Sequence, residues 1–379
     1  MHHGLWPSAS PSVSFITHNA LGFAEAGAAF ELVAVRNTEA PVAAVLAERF
    51  GIRRPLDITL LGAGPFRRQH RVVHLLAAAH LLRSPWDVLI TRNLGFLPWA
   101  LRLRRLRGGR VLFESHDFYW DPALRGIPED GASRKRARQE RRYLPRVDGI
   151  LCVSEQQHQY YRQCDPALRL LTAVSGVVTR PRRAPVPGAP PAIGYTGTFD
   201  AGLYDFDLLL AAFALVRVPG ARLLLAGARS AAEVTAMQDL ARRHGVEERV
   251  EVLPWQIGPE LEALLARISV GVAPLRINGR NRIGSPLKVL EYLSAGIPVV
   301  ASDLPGIRYL VGEGRAGLTP AAEPAAWADA LSAVLTDGAL AARLSAAGLA
   351  TAEDLSWSRR AARILDFIDT LTPRPAARG

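Results

Sequence analysis

A chain of 379 residues is long enough for two or three domains. With 49% hydrophobic and 21% charged residues it excludes general disorder, and no uncharged apolar run reaches the ~18 residues of a membrane-spanning helix. The net charge of +11 is uneven: residues 1–180 hold 25 Lys and Arg against 15 Asp and Glu, residues 181–379 hold 21 against 20, so one half is built to meet something acidic.

The opening MHHGLWPSASP has neither the basic nor the apolar stretch of a secretory signal. Cys152 and Cys164 give no disulfide framework and no CxxC zinc pair, and the cytoplasm is the expected compartment. A short strand near His3–Trp6 precedes a Ser/Pro-rich turn, Pro7–Ser14. Short apolar runs then alternate with stretches of helical period, the pattern of a parallel sheet covered by helices. The predicted strands are Glu31–Arg36, Asp57–Leu61, Asp87–Thr91, Arg110–Glu114, Asp148–Val153 and Arg169–Val174. Helices are predicted over Phe15–Gly27, Arg68–Leu82, Leu94–Leu106 and Ala132–Leu144. Thr179–Pro191 (TRPRRAPVPGAPP) reads as a stiff linker. A second series follows, with strands Ala192–Tyr195, Ala221–Ala226, Val250–Leu253, Ser269–Ala273 and Pro298–Ser302. Its helices fall at Asp207–Val216, Ala231–His244, Pro259–Ala266, Pro286–Ala295, Pro324–Leu335 and Ala339–Ala347, and a last one at Ser358–Leu371. The expected division is 1–178, a linker 179–191, 192–356, and a helix and tail over 357–379. Two doubly wound α/β domains facing across a cleft would bind ligand at their C-terminal strand ends. No GxGxxG follows the first strand, against an ordinary nicotinamide dehydrogenase.

Residues 284–300 (GSPLKVLEYLSAGIPVV) carry the strongest chemical signal. Gly284-Ser285-Pro286 has the marks of a helix start, and the free amides of that first turn, Leu287 among them, form a natural diphosphate seat. Only Lys135 and Lys288 are lysine among 46 basic residues. A lysine kept in so arginine-rich a chain marks a place where a guanidinium would not serve. Glu291 shares its helical face with Lys288 and suits both hydroxyls of a ribose. The bland alternative is an exposed Lys288–Glu291 pair contributing a few tenths of a kcal/mol.

This segment resembles the donor-site signature of retaining GT-B-fold glycosyltransferases, the family 4-like glycosyl transferases group 1. Ile193–Phe199, Ala221–Gly227, Val250–Trp255 and Val272–Leu275 are similar, in order, to the family's C-terminal domain. Arg110–His116 resembles the strand that ends in a catalytic-site histidine, and Asp148–Ser154 and Val174–Val177 the region before the linker. The last helix resembles the segment that crosses back to the N-terminal domain. The resemblance implies transfer of a sugar from a nucleotide-sugar donor to an acceptor hydroxyl with retention. No cofactor is expected, and because no aspartates near this seat are spaced as metal ligands, cationic side chains are expected in place of a divalent ion. His116, Lys288 and Arg282 are the expected catalytic residues. Glu291, Ser285, Gly284, Leu287 and Thr198 are expected on the donor, with Arg276 and Arg280 the nearest replacements by sequence for the family's arginine and lysine. Asp117, Arg92, Asn93 and Ser10 fall to the acceptor. Three departures stand out. Ile283 occupies the place of the family's first glutamate. Thr198 and Leu203 or Tyr204 stand where arginine and lysine are common. Pro7–Ser14 replaces the N-terminal glycine-rich loop.

The rival readings are a catalytically silent sugar-nucleotide-binding protein and another GT-B enzyme such as an epimerase. The basic stretches Arg134–Arg146 and Arg102–Arg110 suit an anionic membrane surface, which would make the protein peripheral on the inner face, or are solvated faces. Aromatic residues do not interleave with these charges, so nucleic acid is not expected. His70 and His74, at i, i+4 beside Arg67, Arg68 and Arg71, read as a solvated face rather than a metal site.

Overall fold

The computed structural model describes residues 1–371 except 9, 63, 68, 127, 180–188 and 313. The expected linker therefore lies mostly outside the described residues, as does the tail from 372. The chain forms two units: Met1–Gly176 together with the segment from Ser356, and Val177–Leu355.

The first unit begins with β1 (Leu5–Trp6), α1 (Pro11–Glu25), β2 (Glu31–Arg36), α2 (Val42–Phe50), β3 (Asp57–Leu61), α3 (His70–Arg83) and β4 (Val88–Thr91). It continues through α4 (Leu97–Arg107), β5 (Arg110–Ser115), α5 (Pro122–Arg125), α6 (Gly131–Tyr143), β6 (Gly149–Cys152), α7 (Glu155–Cys164) and β7 (Leu170–Thr172). All pairings are parallel, and the strands form two hydrogen-bonded sheets, β1-β2-β3 and β4-β5-β6-β7, rather than one. β1 is only two residues long, which leaves little backbone to continue a ladder into β4. α1 starts four residues earlier than expected, because Ser10 caps it and Pro11 takes the first turn.

In the second unit the order is β8 (Ala192–Thr196), α8 (Phe206–Leu215), β9 (Arg222–Ala228), α9 (Ala231–Arg243), β10 (Val250–Pro254), α10 (Gly258–Arg267) and β11 (Val270–Ala273). Then come α11 (Gly279–Ile283), α12 (Leu287–Ser294), β12 (Val299–Ala301), α13 (Pro305–Val311), β13 (Gly317–Leu318), α14 (Pro324–Thr336) and α15 (Gly338–Asp354). Its single parallel sheet runs β10-β9-β8-β11-β12-β13. The direction of winding reverses between β8 and β11, and ligands of such sheets bind outside the strand ends at that reversal. β8 and β11 are apolar on both faces and wholly buried, as strands covered by helices on each side must be.

The last helix, α16 (Trp357–Thr370), belongs to the first unit. Trp357, Arg360, Ala361, Ile364 and Ile368 are buried, one stripe of helical period. A Cβ on Gly176 would lie 2.3 Å from Trp357 Cδ2, so only glycine admits the indole there. No single described helix is long and apolar enough to cross a membrane; the bent pair α14–α15 passes on composition, but Trp327, Leu331, Val334 and Leu344 place it in the core.

Candidate functional site

β8 ends in Thr196 and the chain turns at Gly197, whose φ of 131° favours glycine. There is also no room for a side chain: a Cβ at Gly197 would sit 3.0 Å from Lys288 Nζ. That ammonium lies 3.6 Å from the centroids of both the Tyr195 and Tyr204 rings. It is buried and has no hydrogen-bond acceptor among the described residues. Burial lowers its pKa well below the ordinary lysine value, with Glu291 pulling partly the other way. Two aromatic faces attract a cation but do not neutralise it. The Ser285 Oγ, three residues back, is likewise buried without a partner.

The helix start differs in detail from expectation. α12 begins at Leu287; Pro286, at the N-cap position with φ −79° and ψ 85°, replaces the expected proline inside the first turn, and no side chain caps the helix. Leu287 is exposed and Gly284 closes α11. Glu291 Oε2 accepts from the Thr196 hydroxyl at 3.4 Å, and the Tyr292 hydroxyl accepts from Thr196 N–H at 2.8 Å, so α12 is tied to the end of β8. The Thr198 carbonyl accepts from Tyr195 OH at 2.6 Å.

Among the arginines, Arg280 and Arg282 lie exposed on α11. Arg276 is instead committed to its own loop: it pairs with Asp205 at 3.0 Å and donates to the Ala201 carbonyl at 2.7 Å.

In the first unit, His116 follows β5. Its ring meets Phe15 edge-on at 4.7 Å, and Nε2 lies 3.4 Å from Glu114 Oε2 without hydrogen-bond alignment. Burial, then the Arg92 charge, lowers its pKa, while Glu114 opposes; the ring is neutral at pH 7. Burial is the largest single influence on the Glu114 carboxyl and would raise it, but Arg360, His116 and Arg92 together hold Glu114 well below the carboxylate range.

The acceptor-side expectations fare unevenly. Asp117 accepts from Phe118 N–H at 2.9 Å and from Tyr119 OH, so both carboxylate oxygens shape its own loop. Asn93 Oδ1 accepts from Gly95 N–H at 2.8 Å, and its amide nitrogen faces His74 Nε2 at 3.3 Å. Ser10 is the exposed cap of α1. His74 is buried, correcting the expectation of a solvated face.

Two family models match this chain, "Glycosyl transferase 4-like domain" over residues 13–175 and "Glycosyl transferases group 1" over residues 190–337. The chain belongs to the group 1 glycosyl transferases. It is 33% identical over 163 residues to D-inositol 3-phosphate glycosyltransferase of Mycobacteroides abscessus, a stretch covering 42% of this chain and 35% of that one. It is 40% identical over 84 residues to phosphatidyl-myo-inositol mannosyltransferase of Mycobacterium leprae, 22% of each. These matches thus span about a third of the curated relatives or less. Sucrose-phosphate synthase from Thermosynechococcus elongatus superimposes with a TM-score of 0.73 at 20% identity, over 96% of this chain and 94% of that one. Anabaena HepE in complex with UDP-glucose does so at 0.70 and 14% identity, over 97% and 98%. The fold of this chain is therefore GT-B, with two Rossmann-like domains.

Several residues of this group 1 glycosyl transferase escape sequence reading. Tyr195 and Tyr204 flank Lys288, yet lie more than 80 positions away. Ile283, standing for the family's first glutamate, is buried in α11. Arg360 is fully buried; it donates to Asn19 Oδ1 at 2.6 Å, to the Val174 carbonyl at 2.9 Å and to Glu114. The apolar spacing around Arg360 in α16 was the one available sign that this arginine faces inward.

Proposed function

We propose that the chain transfers a sugar from a nucleoside diphosphate donor to an acceptor hydroxyl, with retention at the anomeric carbon and without a metal ion. The observation that carries this reading is the buried, unaccepted pair of donors, Lys288 Nζ and Ser285 Oγ, beside the start of α12. A desolvated ammonium without a counter-charge is costly and is relieved by an anion. A diphosphate at a helix start also takes the first-turn N–H groups. The family pattern expects a lysine at residue 203 or 204. Here Tyr204 offers its ring instead, and the ammonium comes from α12. Arg282 and Arg280 would assist from α11, Glu291 would hold the ribose, and Thr198, Gly284 and Leu287 would line the seat.

As the anomeric C–O bond breaks, its electron pair passes to the diphosphate, and an oxocarbenium-like centre develops on the sugar. Lys288 then stabilises the transition state more than the bound donor. The neutral His116 suits a hydrogen bond to a sugar hydroxyl; Asp117, Asn93 and Ser10 remain acceptor-side candidates. The family match favours this transferase over a silent binding protein or an epimerase. Thermal-shift screening against UDP-, GDP-, dTDP- and ADP-sugars tests the donor. One nucleotide should raise the melting temperature, and Glu291→Gln should weaken its binding by about tenfold, the worth of one charge-assisted hydrogen bond. No response to any nucleotide, or an unaltered Glu291→Gln, would refute the assignment.

We also propose that the protein docks on an anionic membrane surface. Arg134, Lys135, Arg138 and Arg142 are exposed on α6, and Leu106 stands 73% exposed between Arg105 and Arg107 on α4. Each basic residue near such a surface contributes about 1 kcal/mol. Flotation should show binding to phosphatidylglycerol vesicles at low salt and none to neutral ones; equal recovery with both would remove the idea.

A further inference from the structure

We propose that Arg92 is the receptor for a phosphate group, monoester or diester, on the molecule that accepts the sugar. The proposal rests on the transferase reading and adds the acceptor's chemical class. Arg92 follows β4, and its Cζ lies 5.1 Å from the centroid of the Phe15 ring, in the second turn of α1. Its Nη1 is buried and has no acceptor among the described residues, although the residue as a whole keeps some exposed surface.

The charges around it do not balance. Arg360 lies 5.3 Å from the same phenyl ring, so two guanidiniums gather about one aromatic ring. The carboxylate that acts on both is Glu114, and it is already engaged: Oε1 accepts from Arg360 and Oε2 faces His116 at 3.4 Å. One positive charge is left over. The histidines nearby add no counter-charge. His2 is pushed down to about 3 and His3 to about 4, by burial first and by neighbouring cations that include Arg92. Both are neutral, and each presents a buried Nδ1 without a partner. The arrangement therefore holds one surplus cation and unspent ring nitrogens, close to the positive end of a 15-residue helix. A neutral sugar hydroxyl satisfies one donor but leaves the charge. A phosphate oxygen pair satisfies both, and guanidinium recognises it bidentately.

Two sources carry this group, a soluble polyol phosphate and a phospholipid headgroup. The full-length chain and its Arg92→Gln variant are titrated with glycerol 3-phosphate and, separately, with phosphatidylglycerol vesicles, and UDP binding is measured alongside. The expected result is that at least one probe binds the wild type and binds Arg92→Gln at least tenfold more weakly, with UDP bound alike by both. A loss confined to glycerol 3-phosphate marks the soluble source, and one confined to vesicles the lipid. If both probes bind the variant as they bind the wild type, or neither binds the wild type, the proposal is overturned. Failure of the wild type to bind UDP or any other nucleotide of the donor screen counts against the donor reading instead and leaves the Arg92 comparison legible. Should Arg92→Gln melt early, Arg92→Lys, which keeps the charge, must bind the phosphate probe more tightly than Arg92→Gln; equal binding also overturns the proposal.

Discussion

Lys288→Ala should lower turnover by about 10²–10³-fold, the usual loss when one group aimed at developing charge is removed. The melting temperature should hold or rise, because the variant no longer buries an unpaired ammonium. Lys288→Arg should recover little, since the Nζ sits 3.6 Å from two ring centroids and against Gly197, space that does not admit a planar guanidinium. The depressed pKa gives the site a pH signature with a definite sign. Diphosphate binds the protonated amine, so binding takes up a proton wherever the free protein has lost it. Nucleotide affinity should fall as pH rises from 7 to 9, whereas an ordinary lysine would hold its charge across that range. In Lys288→Met the slope should vanish. Wild-type turnover in Lys288→Ala, or the same pH slope in Lys288→Met, would remove Lys288 from the reaction.

Arg360→Met should destabilise the first unit by about 3–5 kcal/mol, because the change leaves the Glu114 carboxylate buried without its partner. For a unit of this size that is a fall of roughly 10 °C in its melting transition. Arg360→Met with Glu114→Gln should lose less than the single change, since the stranded charge is gone. A single variant that melts within about 1 kcal/mol of wild type, judged by the same relation, would show that the pair contributes little.

Much of this architecture was legible in the chain. The alternation of apolar runs and helical periods located every strand of the second unit's sheet except the two-residue β13. β8, β9, β11 and β12 are buried and almost continuously apolar, and the edge strand β10 is less buried but still bounded by helical periods. The scarcity of lysine drew attention to Lys288. Five helices were missed: α5, α11 and α13 are too short to show a period, while α2 buries only Val45 and Leu46, and α7 only Gln157 and Tyr161, too little apolar surface to impose one. What surrounds each site residue was not legible either. The commitment of Arg276 to Asp205, the engagement of Asp117 by Tyr119, and the burial of His74 are decided by tertiary packing, and spacing along the chain carries no trace of it.

The pairing of Glu114 with Arg360 joins residues 246 positions apart. During synthesis, the first unit reaches its full length of sheet long before that arginine is made, and the whole second unit is translated in between. Until α16 emerges, the nascent first unit lacks both the indole that packs against Gly176 and the arginine that pairs with Glu114. A ribosome stalled before codon 360 would therefore hold a first unit whose buried carboxylate still awaits its arginine.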